Sequence, residues 1–149
     1  MDNKNEIVVY GYLRVLPSEI KFENTAKIAS AIFLIIQHDN LVFKTRRIST
    51  VGQITRIFSG KKFTDYALSL EDSSVTVRAW SNTVNEDLIG EIREQTPVVA
   101  YGVLREYNDY LYVSATLIRK VPSDYFEMFK RQLKADRKLL TRLPAPAKA

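Results

Sequence analysis

The chain has 149 residues, 46% of them hydrophobic, with 22 Lys and Arg against 17 Asp and Glu. That is the size of one domain with a sizeable core, and five Gly and five Pro exclude a linker or low-complexity chain. The lack of Cys excludes disulfides, zinc–thiolate sites and cysteine nucleophiles together and fits an intracellular protein, while a net charge of +5 permits an anionic partner without demanding one.

The polar start Met1–Glu6 precedes no apolar run with a cleavage site, so no secretory signal is read. Ile7 to Val15 reads as a short extended segment that Pro17 ends. From Asn24 to Gln37, Asn24 can cap a helix with Ala-rich spacing behind it, yet the Ile-Phe-Leu-Ile-Ile run equally suits a strand. The longest apolar stretch, Ile28 to Ile36, is too short to span a bilayer. Asp39-Asn40 is a turn signal.

Residues 41 to about 116 read as β throughout. The first long strand carries Val42, Ile48, Val51, Ile54 and Ile57, with Gly52 marking a bulge or a barrel corner. Ser59 to Lys62 is a hairpin connection, Phe63–Leu70 a second strand, Glu71 to Ser74 a polar turn and Val75–Trp80 a third strand. Ser81 to Glu94 is polar, with a helical turn near Val84–Ile89. Pro97–Glu106 and Leu111–Arg119 are a fourth and fifth strand around the turn Tyr107 to Tyr110. Five short strands with a small helix between the third and fourth is the plan of an OB-fold, a partly open five-stranded barrel. The fold class is thus an all-β core with a C-terminal helix: after Pro122 the period becomes helical, with Ser123 as cap and Phe126, Phe129, Leu133, Leu140 and Leu143 on one stripe that Tyr125, Met128 and Leu139 widen. Asp136 interrupts the stripe, and Arg131, Lys134, Arg137 and Lys138 fall on other faces.

Sequence-tolerant binding of a single strand needs π-surface for bases and positive charge for phosphates. With Val75 and Val77 in the core, Arg78 and Trp80 share the opposite parity, on an outer face near a loop. Tyr107 and Tyr110 occupy the last turn behind Arg105, and Phe63 and Tyr66 lie on the second strand beside Lys61 and Lys62. Strand Tyr and Phe more often pack a core or pair across strands, which is the plainer role for Phe63 and Tyr66.

Val51-Gly52-Gln53-Ile54-Thr55-Arg56, Leu68 to Asp72, Val77-Arg78-Ala79-Trp80 and Val99 to Tyr107 follow one another in an order that resembles the OB domain of the replication protein A middle subunit, a plan shared by the telomere-capping protein Stn1. The resemblance spans residues 24 to 143. It implies base stacking by Trp80 and Tyr107. Beside these, Phe63 and Tyr66 are further candidates for base contact, and Arg56, Lys61, Lys62, Arg78 and Arg105 are expected to neutralise phosphates. It implies a non-enzymatic DNA-binding subunit acting in replication, repair and recombination, nuclear in a eukaryote or cytoplasmic in an archaeon; the alternatives are telomere capping or a scaffold with little DNA binding. It also implies that residues 122–143 join a large and a small OB-fold subunit through Tyr125, Phe126, Phe129, Leu133, Leu140 and Leu143, with the Pro-Ala tail leading to a winged-helix domain. The family's Gly-containing turn is Glu71-Asp72-Ser73-Ser74 here, and its Ser/Gly-rich N-terminal tail is replaced by Ile7 to Val15.

Catalytic chemistry finds little support. His38, the lone His, precedes a turn with no ligand partner nearby; Gly60-Lys61-Lys62 lacks the spacing of a phosphate loop; Glu71-Asp72 reads as a solvated turn rather than a metal site; and no Ser sits in a nucleophile elbow. No cofactor, metal, membrane or small-molecule substrate is expected. The expected organisation is an N-terminal extension packed on the barrel (1–40), the barrel (41–121), an oligomerisation helix (122–143) and a tail (144–149). A helical stripe following a complete barrel points to an intermolecular bundle; the alternative is a helix folded onto its own barrel.

Overall fold

A computed structural model of the chain describes residues 5–81 and 92–142. The expected helical turn at 84–89, Leu143 and the 144–149 tail lie outside the described residues.

The N-terminal third is β, not helical. It contains β1 (Asn5–Val9), β2 (Leu13–Arg14), β3 (Thr25–Ile28), β4 (Ala31–His38) and β5 (Leu41–Thr45). Four of these form a sheet in the order β1-β5-β4-β3, with β1 parallel to β5. In β4, Ile32, Leu34 and Ile36 are buried while Phe33, Ile35 and Gln37 are less so, which is the period-2 signature of a strand. Pairing decides what periodicity left open: Leu34 sits between Thr25 and Thr45. Asn24 caps no helix; it ends a 3-10 turn, Phe22–Asn24, and its side-chain amide donates to the Glu19 carbonyl at 3.0 Å. β5 belongs to this sheet, and the first long strand of the barrel starts at Arg47.

Five longer strands build the barrel: β6 (Arg47–Ser59), β7 (Phe63–Leu70), β8 (Ser73–Trp80), β9 (Pro97–Tyr107) and β10 (Tyr110–Lys120). They run β6-β7-β8-β10-β9, and β9 returns to pair with β6. Only β8 and β10 are parallel within this ring, with Val77 opposite Val113 and Arg78 opposite Ser114. That closed order is the OB topology. β6 serves two neighbours, β9 over Arg47–Gln53 and β7 over Gln53–Ser59. Gly52 sits at this corner because a Cβ there would lie 2.7 Å from the Ser69 carbonyl oxygen. The bulge itself falls between Ile54 and Arg56. β2 lies parallel to the start of β6, and Leu13, Val15, Ile32, Leu34 and Phe43 share one buried cluster with the barrel residues Ile48, Ile54, Leu68, Val77, Leu104 and Val113. The N-terminal extension therefore completes the barrel's core.

The helix α1 (Tyr125–Arg142) folds back on its own barrel. Phe129 and Leu133 are buried against Val51, Val99 and Val121, with Tyr125 and Phe126 half-buried at the same contact, and Leu140 packs on the main core. Arg137 is not on an outer face: its two terminal nitrogens donate to the Glu19 carboxylate at 2.7 and 2.8 Å and one also to the Arg14 carbonyl at 3.2 Å. Asp136 pairs with Arg14. The described part of the stripe expected to meet partner subunits, Tyr125 to Leu140, thus packs on the chain's own barrel. An outward apolar patch on β6 and β9, unreadable from the helix, gives it an intramolecular site. Met128 and Leu139 remain exposed.

Candidate nucleic-acid interface

Strand alternation puts one set of side chains on the outside of β7, β8, β10 and β9. Cross-strand register then lines them up: Phe63 opposite Trp80, Asp65 opposite Arg78, Ser114 beside Arg78, Tyr112 opposite Arg105, and Tyr110 opposite Tyr107. Val75, Val77 and Ala79 point inward, as the parity of β8 requires.

The centre of this face is Arg78. Its guanidinium carbon lies 3.8 Å from the Phe63 ring centroid, 4.4 Å from Tyr112 and 5.7 Å from Trp80. Asp65 holds it from the side, accepting from Nε at 2.9 Å and from Nη2 at 3.1 Å. The hydrogen bond to Asp65 raises the Arg78 pKa against the opposing effect of burial. Phe63 meets Trp80 edge-on, with ring centroids 5.3 Å apart, and the Trp80 indole N–H donates to Ser114 Oγ at 3.2 Å. The Tyr110 hydroxyl is hydrogen-bonded to Thr76 Oγ1. Rings and guanidinium are thus fixed beforehand, and such a surface accepts a flat base at low ordering cost.

The hairpin between β9 and β10 borders the face. Asn108 and Asp109 both take positive φ, 50° and 63°, as a two-residue type I′ turn requires. The Asp109 amide donates to Glu106, whose carboxylate also pairs with Lys27 at 2.9 Å. The Lys27 hydrogen bond holds the Glu106 carboxyl below the usual range and raises Lys27. Tyr107 is 67% exposed and Tyr110 49% exposed at the rim of this turn.

The sequence candidates divide accordingly. Phe63, Arg78, Trp80, Arg105 and Tyr107 share the outer face, and Lys61 and Lys62 stand exposed in the connection that borders it. Arg56 is exposed on β6. Tyr66 does not belong here: it is 2% exposed, paired across from Ile57 and Val77 in the core, and burial raises its pKa. Arg78, expected to meet phosphate, is paired with Asp65 and packs against the rings of Phe63, Tyr112 and Trp80. Two members went unread. Tyr112 lies under Arg78 and has the parity of Tyr110 and Ser114; Phe58, 63% exposed, lies opposite Asp65 on β6. Their parity was the available signal. Among the described residues, no group of three His, Asp or Glu side chains could hold a metal ion, and no helix is long and apolar enough to cross a membrane.

A Thermofilum pendens protein known as "Uncharacterized 18.7 kDa protein in ribosomal RNA operon" is 32% identical over 138 residues, which cover 91% of this chain and 79% of that protein. The chain belongs to the family of that protein. No family model matches it. Among solved structures, a chain of a replication protein A heterotrimer bound to ssDNA superposes with a TM-score of 0.64 at 18% identity, over 87% of this chain and 98% of its own. The S. pombe Stn1–Ten1 complex gives 0.58 at 15% identity, over 72% and 86%. An OBody bound to hen egg-white lysozyme gives 0.53 at 12%, over 77% and 99%. These likenesses establish the OB-fold, and with it the expected five-stranded barrel followed by a C-terminal helix.

Proposed function

We propose that the chain is a non-enzymatic single-stranded DNA-binding subunit whose barrel face from Phe63 to Tyr107 takes the strand. The carrying observation is the pre-arranged cluster of Phe63, Trp80 and Tyr112 around Arg78, flanked by the exposed Tyr107. Bases stack on Trp80 and Tyr107; Arg105, Lys61, Lys62 and Arg56, which make no ion pair among the described residues, meet phosphates. The solved replication protein A and Stn1 structures support this reading through their shared barrel.

One or two stacked bases contribute roughly 1–3 kcal/mol each, so binding by one barrel is weak and a complex supplies the rest through avidity. The fitting assembly is a replication protein A-like heterotrimer serving replication, repair and recombination. The helix stripe at Phe129 and Leu133 is already covered, so the large and small subunits would dock on the opposite side of α1, where Met128 and Leu139 are exposed.

Fluorescence-anisotropy titration of a labelled single-stranded oligonucleotide tests the reading, with wild type and Trp80→Ala/Tyr107→Ala at low and moderate salt. Salt-sensitive binding weakened by the double substitution supports it. Equal binding by both proteins contradicts it.

A further inference from the structure

A cleft of about 510 Å³ opens where the N-terminal sheet meets β9, between Val8, Tyr10 and Phe33 on one side and Arg46, Arg47 and Arg105 on the other. A second hollow of about 390 Å³ shares Arg46 and Arg105 with it. Both share only Arg105 with the aromatic face, and the N-terminal sheet that helps to build them is an addition to the five-stranded barrel.

Three features point to one occupant. The cleft is continuous with the face: Arg105 lines the cleft and pairs in register with Tyr112, while Val103, also in the lining, lies between Ser114 on β10 and Arg47 on β6. It is cationic: Arg46, Arg47 and Arg105 make no ion pair among the described residues, and Glu106, the acid beside the second hollow, is taken by Lys27. It also offers an unused donor. The Arg46 Nε is buried and has no hydrogen-bond partner among the described residues, although the Arg46 backbone is fixed by the Leu104 amide at 2.8 Å. A guanidinium that lines the cleft with one buried donor unpaired gains by turning that donor toward a phosphate oxygen, the acceptor its fork fits. Tyr10, 81% exposed, supplies an open ring at the mouth.

We propose that this cleft is a second stretch of the single-strand track, in which Arg46 and Arg47 hold phosphates and Tyr10 and Phe33 contact bases beyond Tyr107. The proposal rests on the aromatic face being a single-strand site, and it makes the N-terminal sheet a length sensor: short strands use the face alone, longer strands reach the cleft.

The test compares oligothymidylates of about 4 and about 12 nucleotides, within the range that single OB folds cover. The proteins are the full wild-type chain, Arg46→Gln/Arg47→Gln, Arg47→Gln/Tyr10→Ala and Trp80→Ala. The second variant alters only exposed side chains and keeps the test open if Arg46→Gln unfolds the chain. The expected result is that the arginine pair variant binds the longer strand at least about tenfold more weakly, the lower end for one lost hydrogen bond to a charged group. Its slope of log K against log salt should be shallower by about 1.4, the value for two lost phosphate contacts on a single strand. Binding of the short strand stays as in wild type. Wild-type affinity and slope for the longer strand in both cleft variants, with Trp80→Ala still weakening the short strand, overturns the cleft proposal alone. No binding by wild type at either length overturns it together with the reading of the face.

Discussion

Arg78 lies 3.8 Å from the centroid of the Phe63 ring while Asp65 accepts from two of its three nitrogens. An arginine so held is a spacer between rings rather than a free charge. Its loss should disorder the platform without removing a phosphate contact.

Salt dependence separates these roles. Arg78→Ala should weaken single-strand binding while leaving the slope of log K against log salt near that of wild type. Arg105→Ala should flatten the slope by about 0.7, one phosphate contact. Equal changes in slope would mean that Arg78 meets phosphate after all.

The helix is tied to the N-terminal extension by a nearly buried ion pair, Arg137 with Glu19, with side chains 9% and 22% exposed. Removing one partner of such a pair typically costs about 3–5 kcal/mol because the other is left uncompensated. Arg137→Ala should lower stability by about 3 kcal/mol in urea denaturation, and Phe129→Ala by about 3–5 kcal/mol. Both losses should be independent of protein concentration. A concentration-dependent loss would return the stripe to an intermolecular role.

Much of this was legible in the sequence, and the misses share a cause. Phe63–Leu70 is a strand with the bounds read from its pattern, and the parity of Val75 to Trp80 sorted core from face correctly. Phe63 and Tyr66, three residues apart on one strand, must face opposite ways, so both could not lie on the same surface. Residues 32–36 and the destination of α1 were open because each depends on remote pairing: β4 on β5, and the helix on Val51 and Val99. The pattern sets Arg137 apart from the apolar stripe and gives no sign of its burial, because its acid is 118 residues away in sequence.

Gly102 lies where β9 passes β10 so closely that an added Cβ would overlap the Ser114 carbonyl and come within 2.8 Å of Val113. Overpacking of this kind costs typically about 1–3 kcal/mol. Gly102→Ala should lower the urea midpoint accordingly and, because Ser114 accepts the Trp80 indole bond, shift Trp80 emission in the native protein. An unchanged midpoint would show that the two strands separate freely.

Tyr66 gives a pH signature. Burial raises its pKa, so the neutral form is favoured in the folded state. Its contribution to stability is complete below the ordinary tyrosine value of about 10 and is lost as pH rises through the folded value. Absorbance titration should show a tyrosinate step above the ordinary range that Tyr66→Phe removes. A step that survives the substitution would place the buried hydroxyl elsewhere.

Trp80 is the chain's single tryptophan, which makes its emission a direct report on the face. Titrating the full chain with an unlabelled single-stranded oligonucleotide, while following binding in parallel by anisotropy of a labelled copy, tests the central claim. Stacking on Trp80 predicts quenching that saturates along the anisotropy curve. Saturable binding with Trp80 emission unchanged would place the strand elsewhere on the molecule and contradict the account.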